Sequence, residues 1–337
     1  MKTFLKSICL TLFLASFLFS SVHAQRYLAG ASINGKWGFI DTKGSWVIKP
    51  GFDEVQNFSE GLAAAKGGDN NWGFISMPGS WVVQPQYKRA EDFSEGLARV
   101  LNRENGRWIY LDKTGKQAFG EQFENCMNFS EGHAAARASS KWGYIDKTGK
   151  YAIPDKFEHA ETFSEGMGRV AVDKVYGFVN ASGGWALSTS CENIRDMKSG
   201  VAPAKGKKGW GYISRDGNVI VPMENEHAQN FSEGMGRSRD KGKWGFYDVT
   251  GKLVIRFSYE TCRDFSEGMA AVNEGKLWGY IDKTGKVVIP LQFDKAFDFK
   301  GGLAPVQVGK KWGYINITGK MVIPAGFDDA LPFVPVD

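Results

Sequence analysis

From residue 25 onward, apolar and polar residues alternate in short runs separated by glycine-bearing polar clusters, and the runs return in phase. One recurrent aromatic, taken as position 0, falls at Trp37, Trp72, Trp108, Trp142, Tyr176, Trp210, Trp244, Trp278 and Trp312. The spacings are 35, 36 and then 34 six times. A fixed period of that size marks stacked supersecondary units, each too small to bury its own apolar face. Residues 142–154, WGYIDKTGKYAIP, give two short strands joined by Asp-Lys-Thr-Gly, in which the aspartate opens a turn and the glycine at +7 supplies a positive φ. Glycine occupies +7 in all nine units and +1 in eight, Ile109 being the exception. A second punctuation, Phe-Ser-Glu-Gly at +21 to +24, precedes a third apolar run such as residues 168–172. The pattern predicts a three-stranded β-meander per unit, with the extra residues of units one and two in an exposed loop after the third strand.

Alternation also tells which faces are covered. Positions 0 and +2 are both aromatic, while +3 on the opposite face is Ile or Val, as at Ile40, Ile145 and Val179. A sheet apolar on both faces needs cover on both, which neighbouring units supply by stacking. Position +15 is aromatic in seven units and +16 is acidic in eight. The chain opens on a strand-like segment, residues 27–31, and stops at +25 of unit nine, before that unit's third strand. The two ends are complementary, as in a propeller whose terminal strand completes the last blade. The expected fold is all-β, a tandem array forming an open twisted solenoid in preference to a closed propeller-like toroid.

The phrase KWGYIDKTGK…IP…F[DE]…FSEG[LM]A resembles the WG-containing repeat, or KWG repeat, of bacterial secreted and surface proteins. Nine in-phase copies cover about residues 29 to 337, with departures at Ile109 and Gly120 in unit three and at Tyr176, Cys191 and Met197 in unit five. The resemblance implies β-rich arrays that mediate binding, with no shared enzymatic activity to carry across.

The first 24 residues change the picture of location. Lys2 and Lys6 precede an apolar run over residues 8–22 and the small-residue site Val22-His23-Ala24, the order of parts in a secretory leader. The mature chain is expected to be residues 25–337, one continuous repeat domain, exported to the periplasm, cell surface or medium, with no membrane span after cleavage. Losing two of 42 basic residues against 37 acids lowers the formal charge from +5 to +3. Bases are spread over every unit rather than clustered on one face, which argues against a nucleic-acid partner.

Chemistry adds little. Cys126 and Cys262 occupy the small +18 slot and Cys191 the aromatic +15 slot, so each reads as a core residue. His133, His159 and His227 lack metal-ligand spacing, and no nucleophile elbow or phosphate loop occurs. No catalytic residue, metal site or cofactor is nominated, and an enzyme is not expected. Glutamates recur once per unit, at Glu60, Glu95, Glu131, Glu165, Glu233 and Glu267, and are expected to fix their own turns. Position +9 behaves differently: it runs Trp46, Trp81, Gln117, Tyr151, Trp185, then Val219, Leu253, Val287 and Met321. A strict core slot conserves volume, and this one does not. Trp46, Trp81, Tyr151 and Trp185 are therefore the candidate contacts of a binding scaffold for an envelope or extracellular protein. The alternative is a cell-wall or extracellular polysaccharide stacked on the same rings.

Overall fold

The computed structural model describes residues 25–336; the leader assignment over residues 1–24 lies outside the described residues. The described residues form nine small antiparallel sheets, the blades of a closed β-propeller. In blade 1 the strands run Glu54–Ser59, Leu62–Lys66, Trp72–Ser76 and Ser80–Tyr87, from the axis to the rim. Blades 3 to 8 repeat this four-stranded order. Blade 9 is built from both ends of the chain: Tyr27–Ile33 pairs with Lys36–Asp41 on one side and with Asp329–Ala330 and Val334–Pro335 on the other.

Two expectations are corrected. The array is a closed ring and not an open solenoid, because the C-terminal segment pairs with the N-terminal strand. An open array would have left both as unpaired edges. The blade has four strands and not three, because positions +17 to +22 form the innermost strand. That strand is only two residues long in blades such as Asn125–Cys126 and Thr261–Cys262. Where it is longer it carries a bulge, as between Val55 and Phe58, so it lacks the two-residue alternation that would betray it. Each sequence unit straddles two blades. Positions 0 to +15 supply the outer half of one, and the remainder supplies the inner half of the next.

The glycines explain the spacing of this frame. At each of the eight +1 glycines, a Cβ would stand no more than 2.6 Å from the main chain of the outer strand, as Gly143 does against Ile153. The outer strand can lie flush only where that side chain is missing. Blade 2 carries Ile109 there, and its fourth segment, residues 117–123, keeps only isolated pairings, Leu111 with Gln117 and Trp108 with Phe123. At +7 the glycine is left-handed and also meets the preceding blade: Gly183, at φ +80°, would place a Cβ 2.7 Å from the Ile153 side chain.

The core lies between blades. Aromatics at +2 and +21 meet across eight of the nine junctions, edge-on at seven of them, as Phe39 with Phe58 at 4.8 Å and Tyr144 with Phe163 at 4.7 Å between ring centres. Such pairs add about 0.5–1.5 kcal/mol each beyond their burial. Where +2 is tyrosine, its buried hydroxyl donates across the junction to a +19 carbonyl, as Tyr280 does to Phe297 at 2.8 Å. Serine at +22 adds a bond between neighbouring inner strands: Ser59 to the Phe93 carbonyl at 2.7 Å and Ser232 to that of Phe265 at 2.7 Å.

Candidate binding surface

Most of the polar residues that recur in the sequence are spent in joining blades. The turn between the two inner strands has two left-handed residues, such as Glu60 at φ +53° and Gly61 at φ +85°, the geometry of a two-residue hairpin. Glutamate is an unfavourable occupant of that conformation. Its carboxylate accepts a hydrogen bond from the next blade: Glu131 from the N–H of Gly166 at 2.8 Å, and Glu267 from Gly301 and Gly302 at 2.7 and 2.9 Å. Lysine at +5 of that neighbouring blade completes the site, with Lys113 to Glu60 and Lys283 to Glu233 both at 3.2 Å. Burial works against the charged form, yet these lysines and N–H groups hold the Glu60 and Glu233 carboxyls below their ordinary pKa. The glutamates therefore fix the neighbouring turn rather than their own. Among the described residues no group of three or more His, Cys, Asp or Glu is placed to hold a metal ion.

Lysine at −1 and the acid at +16 form a second recurrent link. Lys36 pairs with Asp53, and Lys141 stands 3.7 Å from Glu158. Nearer the axis, Arg169 reaches Asp196 at 2.9 Å and Glu161 at 3.2 Å, and Arg237 donates to the Cys262 carbonyl at 2.9 Å. Asp92 and Asp298, which share position +20, are exceptions in this belt: each has a buried Oδ1 without a partner and a carboxyl pushed up by burial. With Glu91 beside it, the Asp92 carboxyl is pushed up to about 6. Cys126 and Cys262 are buried, and burial pushes their thiols up to about 11 and about 12, which leaves them poor nucleophiles.

The four +9 aromatics lie on the outer strands of four different blades and do not converge. Trp46 stands edge-on to Phe327 at 5.7 Å and Trp81 edge-on to Phe52 at 5.5 Å, each partner belonging to the preceding blade. Tyr151 is half-buried, with its hydroxyl 3.3 Å from the N–H of Ala138. Trp185 alone of the four is largely open, at 47% exposure.

The WG containing repeat family matches the chain in eight stretches: residues 37–70, 72–108, 110–142, 142–175, 210–244, 244–278, 278–312 and 312–334. The chain belongs to this family. No curated protein matches it in sequence. In fold, this WG-repeat ring is similar to the crystal structure of a eukaryotic initiation factor, with a TM-score of 0.66 at 10% identity, over 92% of this chain and 98% of that one. It is also similar to dihydro-heme d1 dehydrogenase NirN in complex with DHE, with a TM-score of 0.53 at 11% identity, over 93% of this chain and 75% of that one. At such identities the likeness is one of fold alone.

The WG-repeat matches pass over residues 176–209, the fifth unit, although the structure gives it a full share of two blades. Here Cys191 replaces a +15 aromatic and Met197 the +21 Phe, so ring volume is missing at one junction. Two cavities flank it. One, of about 300 Å³, is lined by Leu187, Ile213, Val219 and Met223 with the hydroxyls of Ser188, Thr189 and Ser190. The other, of about 470 Å³, is lined by Glu158, His159, Lys174, Tyr176, Cys191 and Glu192. Cys191 sits in the wall of both. The departures of unit five are visible in the sequence, but the cavities beside Cys191 are not, because they depend on how the outer strands of two consecutive blades sit against each other.

Proposed function

We propose that the chain is an exported, non-enzymatic interaction scaffold for a cell-envelope or extracellular protein. The observation that carries this is a division of labour. The recurrent Glu, Lys, Ser and Tyr groups hold the blades to one another, while the residues that vary between units, above all position +9, lie on the outer strands. A constant frame with variable outward side chains is suited to recognition, and β-propellers commonly serve as protein-interaction scaffolds. The apolar run over residues 8–22 and the Val22-His23-Ala24 site support export.

The test is affinity capture on the immobilised mature chain from solubilised envelope of the source organism. One or two discrete proteins, retained by the wild type and lost from a W185A variant of unchanged melting temperature, are expected. Capture that is empty, or indifferent to every rim substitution, would overturn the proposal. Polysaccharide recognition keeps one supporting observation, the open indole of Trp185. It predicts a saturable change in tryptophan fluorescence on adding glycans that W185A abolishes.

A further inference from the structure

The outer strand of every blade is an edge, and an edge invites strand addition unless something blocks it. Position +12 is where this ring places its block. It is an exposed proline in four units, Pro154, Pro222, Pro290 and Pro324, and an exposed charge in two others, Lys49 and Arg256. In unit two it is Gln84, with Pro85 following directly, and in unit three it is Gly120, in the segment that forms no regular strand. Unit five has Ser188, exposed, with no proline or charge anywhere between Lys174 and Glu192. The strand Trp185–Ser188 is paired on its inner side only, Gly177 with Ser188 and Phe178 with Leu187. Thr189 turns its N–H inward to the Tyr176 carbonyl at 3.0 Å. Successive N–H groups of a strand point to opposite edges, so that of Ser188 faces out. This is the position at which proline elsewhere removes the donor.

We infer that this edge of blade 4 is a β-augmentation site, which takes an extended, uncharged segment of a partner protein as a further strand. The inference rests on the scaffold reading above and names its contact. Main-chain bonds to the outward groups of Ser188, just past the bulge at Ala186, would hold the segment, and alternate side chains would choose it. The cavity beside the strand has Leu187, Val219 and Met223 on one part of its wall and Asp216 and Thr189 on another, and has room for one small side chain such as valine or threonine. Val219 is 60% exposed there and has no cover of its own. A second copy of the chain is a poorer occupant. Two convex rims meeting over a four-residue strand fall well short of the roughly 1,200 Å² that a stable interface buries.

The experiment uses the full mature chain and a fluorescent peptide of about ten alternating valines and threonines, capped at both ends and flanked by lysines. Saturable binding by anisotropy, with amide exchange slowed over residues 185–190, is expected. S188P, which installs the residue four sibling units carry, and S188K, which installs a charge, should each weaken binding by about tenfold or more without lowering the melting temperature. Equal binding to wild type and both variants, protection elsewhere on the ring, or no saturable binding would overturn the site. Envelope capture separates the two readings. A protein retained equally by wild type and S188P leaves a scaffold without this contact, whereas a protein lost from both S188P and S188K supports the two together.

Discussion

The Glu60 carboxylate accepts a hydrogen bond of 2.9 Å from the N–H of Gly96, 36 residues on and in the next blade. Glu60 is itself left-handed, at φ +53°. Its side chain thus stabilises a neighbour while its backbone bears a cost. E60A should lower stability by about 1–2 kcal/mol, since the charge-assisted bond is lost and the strain stays. E60G loses the same bond but relieves about 1 kcal/mol of left-handed strain, so it should melt above E60A. Equal melting of the two would mean that the turn carries no strain. The acid side follows with a fixed sign. Glu60 and Glu233 are held below their ordinary pKa, so their contribution is present above the usual carboxylate range and is lost as pH falls through the folded values.

Asp92 has the opposite sign. Its folded pKa is raised to about 6 against an ordinary value of ~3.9, so the folded state holds its proton more tightly than the unfolded chain. The group favours folding when protonated, and that advantage disappears as pH rises through about 6. D92N should therefore raise the melting temperature at pH 7 and leave it unchanged near pH 4. Asn57, Asn128 and Asn230 occupy the same position in other units, so the amide fits. A stabilisation equal at both pH values would show that the charge is not its cause.

Gly143 marks the +1 contact most directly, because a Cβ there would stand 2.6 Å from the Ile153 carbonyl and 2.8 Å from the Tyr151 ring. G143A should cost about 1–3 kcal/mol, the range for overpacking. It should also speed amide exchange along Tyr151–Phe157 more than in the three inner strands of that blade. Uniform acceleration across the ring would mean that the outer strand is not what the glycine admits.

These cases show what the sequence made legible. The +1 and +7 glycines and the hairpin between them were plain, because one turn and two strands are local. The inner strand was not, since it is short, bulged and shared between polar and apolar positions. Its glutamates were read as serving their own turns because a partner 36 residues away leaves no local trace. The complementary chain ends were visible too. What they lacked was the curvature that brings Tyr27 beside Pro335, which comes from how nine blades pack and not from any one unit. At position +9 the volume changes pointed to the rim. They did not separate Trp46, leaning on Phe327, from Trp185, which leans on no neighbouring blade's ring.

That difference is itself testable. Trp46 is half-buried against the core around Trp312 and Phe327, so W46A should cost about 2–4 kcal/mol. W185A, at a largely exposed site, should stay within about 0.5 kcal/mol of wild type. Urea unfolding of the two variants decides it, and similar losses would make position +9 structural throughout.

Closing the ring gives the last prediction. Ala330 and Phe333 lie buried with Ala29, Ala31 and Tyr314. The Tyr314 hydroxyl donates to the Leu331 carbonyl at 2.9 Å, and the N–H of Val336 to the carbonyl of Arg26 at 3.1 Å. Deleting residues 328–337 removes the inner strand of blade 9, strips cover from the third strand of blade 8 and leaves Tyr27–Ile33 with one partner. In an open array such a deletion would cost only the end unit, because each repeat depends on its neighbours alone. In a ring it breaks the circle, so the loss should exceed the ~3–5 kcal/mol that removal of one buried phenylalanine brings. It should also broaden the melt and enlarge the radius of gyration in small-angle scattering. A truncated chain that keeps the wild-type midpoint and dimensions would show that the contact between the two ends does not hold the nine blades together.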